Sequence, residues 1–165
     1  MKTVYIGIGS NLGDPGKNCL EAINRIGMIP ECSILGVSNL YRTEPVGVEF
    51  QGWFINGIVA LSTSLSSRDL LERLLAIETH MGRVRRGGRW EPRVIDIDIL
   101  LYGRDIINEE KLFIPHPFMH ERRFVLIPML DLAPDLEHPL LGKSMTELLR
   151  EIPEDGQVVK PIEGH

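Results

Sequence analysis

The run VIDIDILL over residues 94–101 constrains the fold of this chain more than any other feature. Its side chains alternate with a period of two, which is the pattern of a β-strand with one buried face. One face carries Val94, Asp96, Asp98 and Leu100, and the other, expected to meet the core, carries Ile95, Ile97, Ile99 and Leu101. Because a strand rises ~3.3 Å per residue, the Cα atoms of Asp96 and Asp98 are expected about 6.6–7 Å apart. A rigid strand therefore presents two carboxylates side by side.

An arginine-rich segment directly precedes this strand. It contains the pair Gly87–Gly88 and five arginines: Arg83, Arg85, Arg86, Arg89 and Arg93. A guanidinium can bind phosphate oxygens through two parallel hydrogen bonds, and paired carboxylates can bind one or two hard cations. The combination indicates chemistry on a Mg²⁺-bound polyphosphate. Two alternatives are a solvated strand face behind a basic loop, and a paired-carboxylate hydrolase such as a glycosidase, which would leave the arginines without a role.

Net charge narrows the class of ligand. The chain carries −5 in total, and the arginine segment between residues 82 and 93 carries +4, so the remainder carries −9. A nucleic-acid groove needs positive charge spread over a face, so this distribution favours a small anionic ligand and predicts no nucleic-acid partner. The alternative class is a ferredoxin-like RNA-binding module, and the strands lack the stacking aromatic residues that such modules use.

The bulk composition is that of a globular protein. A length of 165 residues, with 43% hydrophobic and 25% charged side chains, predicts a single catalytic domain over residues 1–165. No apolar run approaches the ~18 residues of a membrane span, and the first apolar run is too short for a signal peptide. We therefore expect a cytoplasmic protein without membrane contact. Cys19 and Cys32 match no metal or redox spacing and are expected to be reduced thiols.

Hydrophobic periodicity and capping residues predict the order β-α-β-β-α-β, followed by a hairpin and short helices. Strands are predicted at residues 2–9, 33–42 and 53–63, with the hairpin at 106–107 and 112–114. Helices are predicted after Asp14–Pro15, after the capping residues Ser66 and Asp69, over a segment interrupted at Pro128, and after the capping box of Ser144 and Glu147. This order predicts an α+β fold: a ferredoxin-like split βαβ core, with helices packed on one face of an antiparallel sheet and an added hairpin.

Four polar residues stand out along these elements. Asn56 lies in an apolar strand beside Phe54, and it either bonds backbone or reads the polar edge of a flat ligand that stacks on Phe54. Glu78 lies in the last turn of its helix, where the helix dipole disfavours an acid, so it is either solvated or used for a ligand. His116 and His120 have a helical zinc spacing, but the prolines flanking His116 argue against a helix there and hence against a zinc site.

Six segments together resemble a known enzyme family. They are GSNLGD (9–14), YRTEPVG (41–47), FIN (54–56), GRVRRGGRWEPRVIDIDILLYG (82–103), IPHP (114–117) and RRF (122–124). In this order they resemble the 6-hydroxymethyl-7,8-dihydropterin pyrophosphokinases of folate biosynthesis, over residues 1 to about 140. The run R-W-x-P-R-x-x-D-x-D is the most specific of them. The resemblance implies a monomer that binds ATP and the pterin and transfers the β,γ-diphosphate of ATP to the pterin hydroxymethyl group, releasing AMP.

The resemblance also implies roles for individual residues. Asp96 and Asp98 would hold two Mg²⁺ ions and, with Arg83 and Arg93, form the catalytic group. The ATP side would consist of Glu78, Arg83, Arg85, Arg93, Ile99, Lys111, Phe113, His116, Pro117 and Arg122. The pterin side would consist of Thr43, Pro45, Val46, Phe54, Asn56, Trp90, Asp96 and Phe124, with the ring between Phe54 and Phe124 and Trp90 on a loop that closes over it. The hydroxyl proton would leave either through a metal-lowered pKa or to a carboxylate of the pair.

Four residues depart from the usual family pattern. Phe54 stands where relatives often carry tyrosine, and a phenylalanine keeps the stacking face while losing a hydroxyl contact. Glu44 stands where proline is common. Lys111 and Phe113 stand where some relatives carry arginine and a smaller polar residue. These departures bear on contacts to the ribose and phosphates and leave the implied chemistry unchanged.

Overall fold

The computed structural model describes residues 1–43, 53–82, 94–153 and 158–162, together with the backbone of residues 85–86 and 89–90. Its strands are β1 (Lys2–Ser10), β2 (Cys32–Val37), β3 (Tyr41–Thr43), β4 (Phe54–Thr63), β5 (Arg85–Arg86), β6 (Arg89–Trp90), β7 (Asp96–Tyr102), β8 (Ile107–Glu109), β9 (Leu112–Ile114) and β10 (Val159–Pro161). Its helices are α1 (Pro15–Gly27), α2 (Ser67–His80), α3 (Arg123–Leu132) and α4 (Met145–Arg150), with a 3₁₀ turn over Met119–Glu121.

The main sheet is antiparallel. Its order is β10-β3-β4-β1-β7, and β2 pairs with β4 farther along that strand. The chain order β1-α1-β2/β3-β4-α2-β7 is the split βαβ arrangement, and the hairpin of β8 and β9 is added after it. These observations confirm the predicted α+β, ferredoxin-like fold. They also put β7, the strand of the two aspartates, at one end of the sheet order.

The predicted strand over residues 33–42 is wrong in one respect, because it divides into β2 and β3. Ser38 lies between them and is buried. Its hydroxyl donates to the Asn39 carbonyl (2.7 Å) and accepts from the Ile58 amide (2.8 Å). A side chain thus takes the place of the backbone acceptor that Ile58 would otherwise use, which is a competition that serine makes possible. The interruption gives β3 its own position opposite the first residues of β4.

Helices cover both faces of the sheet. One core cluster joins α1 and α2 to the sheet through residues such as Ile26, Leu74, Ile97 and Ile99. A second cluster joins α3 and α4 to the opposite face. The prediction of helices on one face holds for α1 and α2 of the core, and the added α3 and α4 pack on the other face. That second face is where the two aspartates point.

The alternation of β7 reverses near its end. Ile95, Ile97 and Ile99 are buried in the first cluster as predicted, but Leu101 belongs to the second cluster with Leu100. The cause is an irregularity in the pairing of β1 with β7 between Tyr5 and Ile6. One extra residue in a ladder exchanges the two faces of the strand beyond it. The prediction that Leu101 shares a face with the isoleucines is therefore wrong.

Side-chain caps fix three helix starts at the predicted residues. Asp14 accepts a hydrogen bond from the Lys17 amide ahead of Pro15, and Ser66 accepts one from the Asp69 amide. Ser144 and Glu147 form the full reciprocal capping box of α4. Helix α3 runs through Pro128 as one element, so the proline costs one backbone bond without breaking the helix. Arg122 occupies the N-cap position before Arg123, and its side chain makes no capping hydrogen bond.

Both cysteines are free thiols, as predicted. Burial raises the pKa of the Cys19 thiol to about 12, so it stays protonated and unreactive at neutral pH. Among the helices of the described residues, none combines the length and the apolar character that crossing a bilayer requires.

Candidate active site

A cavity of about 670 Å³ lies on the sheet face that carries α3. Strands β1, β4 and β7 contribute its floor, and the start of α3 contributes a wall. The predicted site residues that line it are Thr43, Phe54, Asn56, Asp96, Asp98, His116, Arg122 and Phe124. Antiparallel pairing explains the convergence, since Gly9 is opposite Asn56 in one neighbouring strand and opposite Asp96 in the other. The fold therefore brings residues of five separate segments to one place.

Two glycines of β1, Gly7 and Gly9, line the cavity without side chains. A Cβ atom at Gly9 would lie 2.7 Å from the Asn56 side-chain nitrogen, which is closer than real Cβ contacts come. At Gly7 it would lie 3.5 Å from Leu100, which is an ordinary contact. Gly9 is therefore needed for the close approach of the Asn56 amide, whereas Gly7 has space for a methyl group.

Two polar atoms on the strands around this cavity are buried and lack a hydrogen bond. They are the side-chain oxygen of Asn56 and the hydroxyl of Thr43, and neither has a partner within the described part of the chain. Asn56 is only 9% exposed, and Thr43 is 2% exposed. Leaving a buried polar atom unpaired costs about 1–3 kcal/mol. Both atoms therefore fit a site whose ligand supplies the missing polar groups.

Two aromatic residues line this cavity from different elements. Phe54 comes from β4 and Phe124 from α3, and both are half-buried. The Arg122 guanidinium lies 5.6 Å from the centre of the Phe124 ring and 5.5 Å from the centre of the Phe118 ring. These distances are within the range of cation–π attraction, so the two rings hold the guanidinium at the entrance to α3. Together with the positive end of the helix dipole, Arg122 makes this wall attractive to anions.

Asp96 and Asp98 line the cavity from β7, on the face opposite Ile97. The strand is held just ahead of them, because the Ser10 hydroxyl donates to the Val94 carbonyl (2.6 Å). Asp98 is exposed and Asp96 is half-buried. No group of three or more potential metal-ligand side chains occurs among the described residues. Two carboxylates facing an open cavity suit Mg²⁺, which binds one or two carboxylates and completes its shell with water and phosphate oxygens.

His116 connects the segment after the hairpin to β7. Its backbone amide donates to the Leu100 carbonyl (2.9 Å), and its Nδ1 accepts from the Phe118 amide (3.2 Å). Burial lowers the pKa of His116, and Arg122 lowers it further, while the charge of Asp98 acts in the opposite direction. The ring is therefore neutral at pH 7, with its proton on Nε2. It is a hydrogen-bond donor to the cavity rather than a fixed positive charge.

Glu78 is buried, so the solvated alternative for this residue is wrong. It is 2% exposed, and its carboxylate accepts a hydrogen bond from the Ile97 amide (3.4 Å). Because that amide points away from β1, Glu78 lies along the outer edge of β7 and is not a lining residue of the cavity. Backbone groups of a strand alternate in direction, so the Ile99 backbone faces the same edge, while the Ile99 side chain is buried in the core.

The remaining predicted ATP residues lie on or just after the hairpin. Lys111 is exposed at the turn between β8 and β9, where it has a positive φ of 62°. Phe113 is 52% exposed, and Pro117 is also exposed. The structure places these three residues outside the lining of the described cavity. Their assignment to ATP stays a prediction.

The arrangement can be compared with known proteins. The family described as 7,8-dihydro-6-hydroxymethylpterin-pyrophosphokinase matches residues 5–134 of the chain. The chain belongs to this family.

Two relatives illustrate how close this pyrophosphokinase is to other members. It is 43% identical over 156 residues to the 2-amino-4-hydroxy-6-hydroxymethyldihydropteridine pyrophosphokinase of Pseudomonas aeruginosa, covering 94% of this chain and 95% of that protein. It is 41% identical over 156 residues to the protein of the same name from Methylorubrum extorquens, covering 94% and 97%.

A solved structure with a similar fold is the wild-type HPPK-DHPS of Plasmodium falciparum with pteroate. Its TM-score is 0.73 at 16% identity, covering 90% of this chain and 42% of that longer chain. That similarity concerns the fold of the pyrophosphokinase alone.

The comparisons do not support the RNA-binding alternative, since the family and the relatives are named as pyrophosphokinases. The structure supplies a physical reason against it. RNA-binding modules of this shape use an open sheet face, whereas here α3 and α4 pack on that face.

Several predicted residues of the pyrophosphokinase lie outside the described part of the chain. These are Pro45, Val46, Arg83 and Arg93, together with the side chains of Arg85 and Trp90. In the backbone, Arg85 pairs with Trp90 and Arg86 with Arg89, so the segment expected as a loop contains the two short antiparallel strands β5 and β6.

The lining of the cavity also includes residues that sequence reasoning missed, among them Gly7, Gly9 and Arg123. Gly9 opens the GSNLGD motif, one of the six segments that resemble the family. Arg123 lies in the RRF motif beside Arg122, and its Nε is buried without a partner among the described residues. The signal for Arg123 is its place as the first residue of α3, directly after Arg122.

Proposed function

We infer that this protein catalyses the reaction for which its family is named. It transfers the terminal diphosphate of ATP to the hydroxymethyl group of 6-hydroxymethyl-7,8-dihydropterin, releases AMP, and so serves folate biosynthesis. One observation carries this conclusion. A single cavity contains both a carboxylate pair and an aromatic slot whose buried polar atoms, on Thr43 and Asn56, lack partners within the described residues.

The aromatic part of the cavity suits a pterin. The ring is flat, so it can stack between Phe54 and Phe124, which line the cavity from β4 and α3. Its edge carries both N–H donors and acceptors. The Asn56 oxygen accepts from a ring N–H and the Asn56 amide nitrogen donates back, while Thr43 bonds the same edge. A ring without such an edge would leave these buried atoms unpaired, which is a strong basis for selectivity.

The carboxylate part suits a metal-bound triphosphate. Asp96 and Asp98 would hold Mg²⁺, two ions in our proposal. When bound, the metal neutralises phosphate charge and polarises the phosphorus that is attacked. The two aspartates are fixed by the strand itself, so they need little rearrangement when the nucleotide binds.

The transfer itself needs positioning and charge more than covalent catalysis. The pterin hydroxyl oxygen forms a bond to the β-phosphorus, and the bond from that phosphorus to the oxygen bridging it to the α-phosphate breaks. The electron pair of the broken bond leaves with AMP, and the hydroxyl proton is released. Arg122 and the start of α3 face the cavity with positive charge, so they stabilise the diphosphate as it moves. The neutral His116 ring donates a hydrogen bond from Nε2 into the cavity.

We propose that the nucleotide lies along the outer edge of β7. Glu78 lies at that edge through its bond to Ile97, and the backbone of Ile99 faces the same side. A purine can bond such an edge as a further strand would. Lys111, Phe113 and Pro117 follow on the hairpin side, and Arg83, Arg85 and Arg93 come to the triphosphate from the segment before β7. Pro45, Val46 and Trp90 complete the pterin side.

A product assay tests the function. The purified protein is incubated with Mg²⁺, ATP and the hydroxymethyl-dihydropterin, and the nucleotides are separated by anion-exchange chromatography. We expect AMP in a one-to-one ratio to the pterin diphosphate, and no product with EDTA. Accumulation of ADP, or no turnover with both substrates present, would contradict the proposal. On the family resemblance we also propose a cytoplasmic monomer, which size-exclusion chromatography would report as a particle of about 18.6 kDa.

A further inference from the structure

One hydrogen bond links the two walls of the cavity through residues that do not line it. The Tyr41 hydroxyl donates to a carboxylate oxygen of Asp131 (2.7 Å). The same oxygen, Oδ2, accepts from the backbone amide of Asn39 (3.1 Å). Asp131 lies in the last turn of α3, Tyr41 is the first residue of β3, and Asn39 lies two residues before it. The contact therefore joins α3 to the β3–β4 part of the sheet.

Each end of this contact leads to one side of the aromatic slot. In β3, Tyr41 is opposite Asn56 and Thr43 is opposite Phe54. In α3, Phe124 precedes Asp131 by seven residues, which is about two turns and ~10.5 Å along the helix axis. Residues seven apart project from the same side of a helix. Any shift of α3 along the sheet therefore moves Phe124 relative to Phe54 and Asn56 by the same amount.

Apolar packing holds α3 against the sheet, and the polar contact adds a directional constraint to it. Helix α3 rests on the sheet through Val125, Leu126 and Met129, which contact the cluster around Ile58. Hydrophobic burial is non-directional, so it specifies the axial position of the helix less sharply than a directional bond does. A hydrogen bond is directional and weakens steeply with distance. Two such bonds to one carboxylate oxygen define the axial position of α3.

We propose that Tyr41 and Asp131 are positioning residues that set the width of the pterin slot between Phe54 and Phe124. This inference rests on the proposed function and names a determinant of pterin affinity that touches no substrate. Tyr41 is 7% exposed. Burial, followed by the hydrogen bond to Asp131 and its charge, raises the pKa of Tyr41 to about 12. The hydroxyl therefore keeps its proton, and the contact persists, across the pH range of an enzyme assay.

Four variants separate positioning from stability. Tyr41→Phe removes the hydroxyl alone. Asp131→Ala removes both bonds, whereas Asp131→Asn supplies one oxygen that can accept both, since a single oxygen accepts them now. Tyr102→Phe is the matched control. Tyr102 is 6% exposed, and its hydroxyl donates to the Leu65 carbonyl on the opposite face of the sheet, away from the slot.

The readouts are the Kd of the pterin, measured by calorimetry with Mg²⁺ and α,β-methylene-ATP present, the KM of ATP, and the Tm. We expect Tyr41→Phe to raise the pterin Kd by about 2- to 10-fold, because on binding α3 must recover a position that this hydrogen bond no longer holds and the cost cannot exceed that of the bond itself; Asp131→Ala should raise the Kd further. The KM of ATP should stay within about twofold. Asp131→Asn should restore a pterin Kd within about twofold of wild type, and Tyr102→Phe should lower the Tm without changing the pterin Kd.

Unchanged pterin affinity in Tyr41→Phe and Asp131→Ala, with a Tm loss like that of Tyr102→Phe, would overturn the inference and leave the contact a structural one. Because Tyr41→Phe is the mildest change, it decides the matter even where Asp131→Ala fails to fold. Failure of the wild-type protein to bind the pterin is a different result, since it would overturn the proposed function and this inference with it.

Discussion

Substituting Gly9 tests whether the Asn56 amide binds the pterin. The change Gly9→Ala adds one methyl group to β1, at a position whose φ any residue can adopt. The new Cβ would lie 2.7 Å from the Asn56 side-chain nitrogen. Ordinary contacts begin near 3.4 Å, so the amide must move away by about 0.7 Å. The neighbouring change Gly7→Ala puts a methyl group into the same cavity at an ordinary 3.5 Å from Leu100.

The size of the effect follows from this displacement. A hydrogen bond of ~2.9 Å that lengthens by about 0.7 Å passes beyond the range of a real bond. The amide can make one bond through oxygen and one through nitrogen, and each contributes about 0.5–1.5 kcal/mol. Losing both costs about 1–3 kcal/mol, which is about 5- to 150-fold in affinity at 1.4 kcal/mol per factor of ten. We expect the KM of the pterin to rise by this factor in Gly9→Ala, and by less than about twofold in Gly7→Ala.

Steady-state kinetics with each substrate varied in turn measures the effect. The KM of ATP should change little in either variant, because the amide faces the pterin slot. Equal KM values for the pterin in Gly9→Ala and Gly7→Ala would refute the reasoning, since they would mean that the Asn56 amide makes no contact that the displacement disturbs. A parallel rise in both variants would point to lost cavity volume instead.

Three further outcomes follow from particular contacts. Asp98→Asn should lower kcat at least ~1,000-fold, because metal-assisted charge stabilisation is worth several kcal/mol. The Tm should stay nearly unchanged, since the Asp98 side chain is exposed. A large loss of Tm would assign the carboxylate a structural role. Glu78→Leu leaves the buried Ile97 amide without its acceptor and should lower the free energy of unfolding by about 1–3 kcal/mol. Glu78→Gln should lower it much less. Equal losses of unfolding free energy for the two variants in chemical denaturation would contradict this account. Burial and then His120 lower the pKa of His138 below 6.5, so the folded state binds fewer protons than the unfolded chain does. The unfolding free energy should therefore fall as the pH drops below about 6.5. In thermal scans from pH 5 to 8, His138→Asn should flatten this dependence, and an unchanged slope would exclude His138 as its source.

Much of the fold could be predicted because its signals are local. Period-two alternation identified β1, β4 and β7, and the side-chain oxygens of Asp14, Ser66 and Ser144 marked helix starts. The face of β7 that carries Asp96 and Asp98 followed from the same alternation. Such features depend on residues a few positions apart, so the sequence contains all that determines them.

Other features depend on contacts between distant residues. The reversed face of Leu101 follows from an irregularity opposite Tyr5, about 95 residues away in the chain. The division of the second strand depends on Ser38 meeting Ile58. The dipole argument described Glu78 by its own helix alone, and β7 packs over it and buries it. In each case a tertiary contact outweighs the local preference.

The candidate site shows the same division. Resemblance to a family predicted the site residues, and eight of them line one cavity. It did not indicate that Gly9 makes room for the Asn56 amide, or that Tyr41 and Asp131 join the two walls. These are properties of how segments meet. A pattern of residue types does not specify the distances between β1 and β4 or between β3 and α3. Only the folded chain supplies these distances.

The central claim is that the attacked phosphorus is the β-phosphorus of ATP, so that two phosphoryl groups leave together. A single-turnover reaction with ATP labelled separately at the β- and γ-phosphates tests this directly. Our account predicts that both labels appear in the pterin product at equal rates, with AMP as the unlabelled nucleotide. Recovery of the β-label in a nucleotide, with only the γ-label on the pterin, would contradict it.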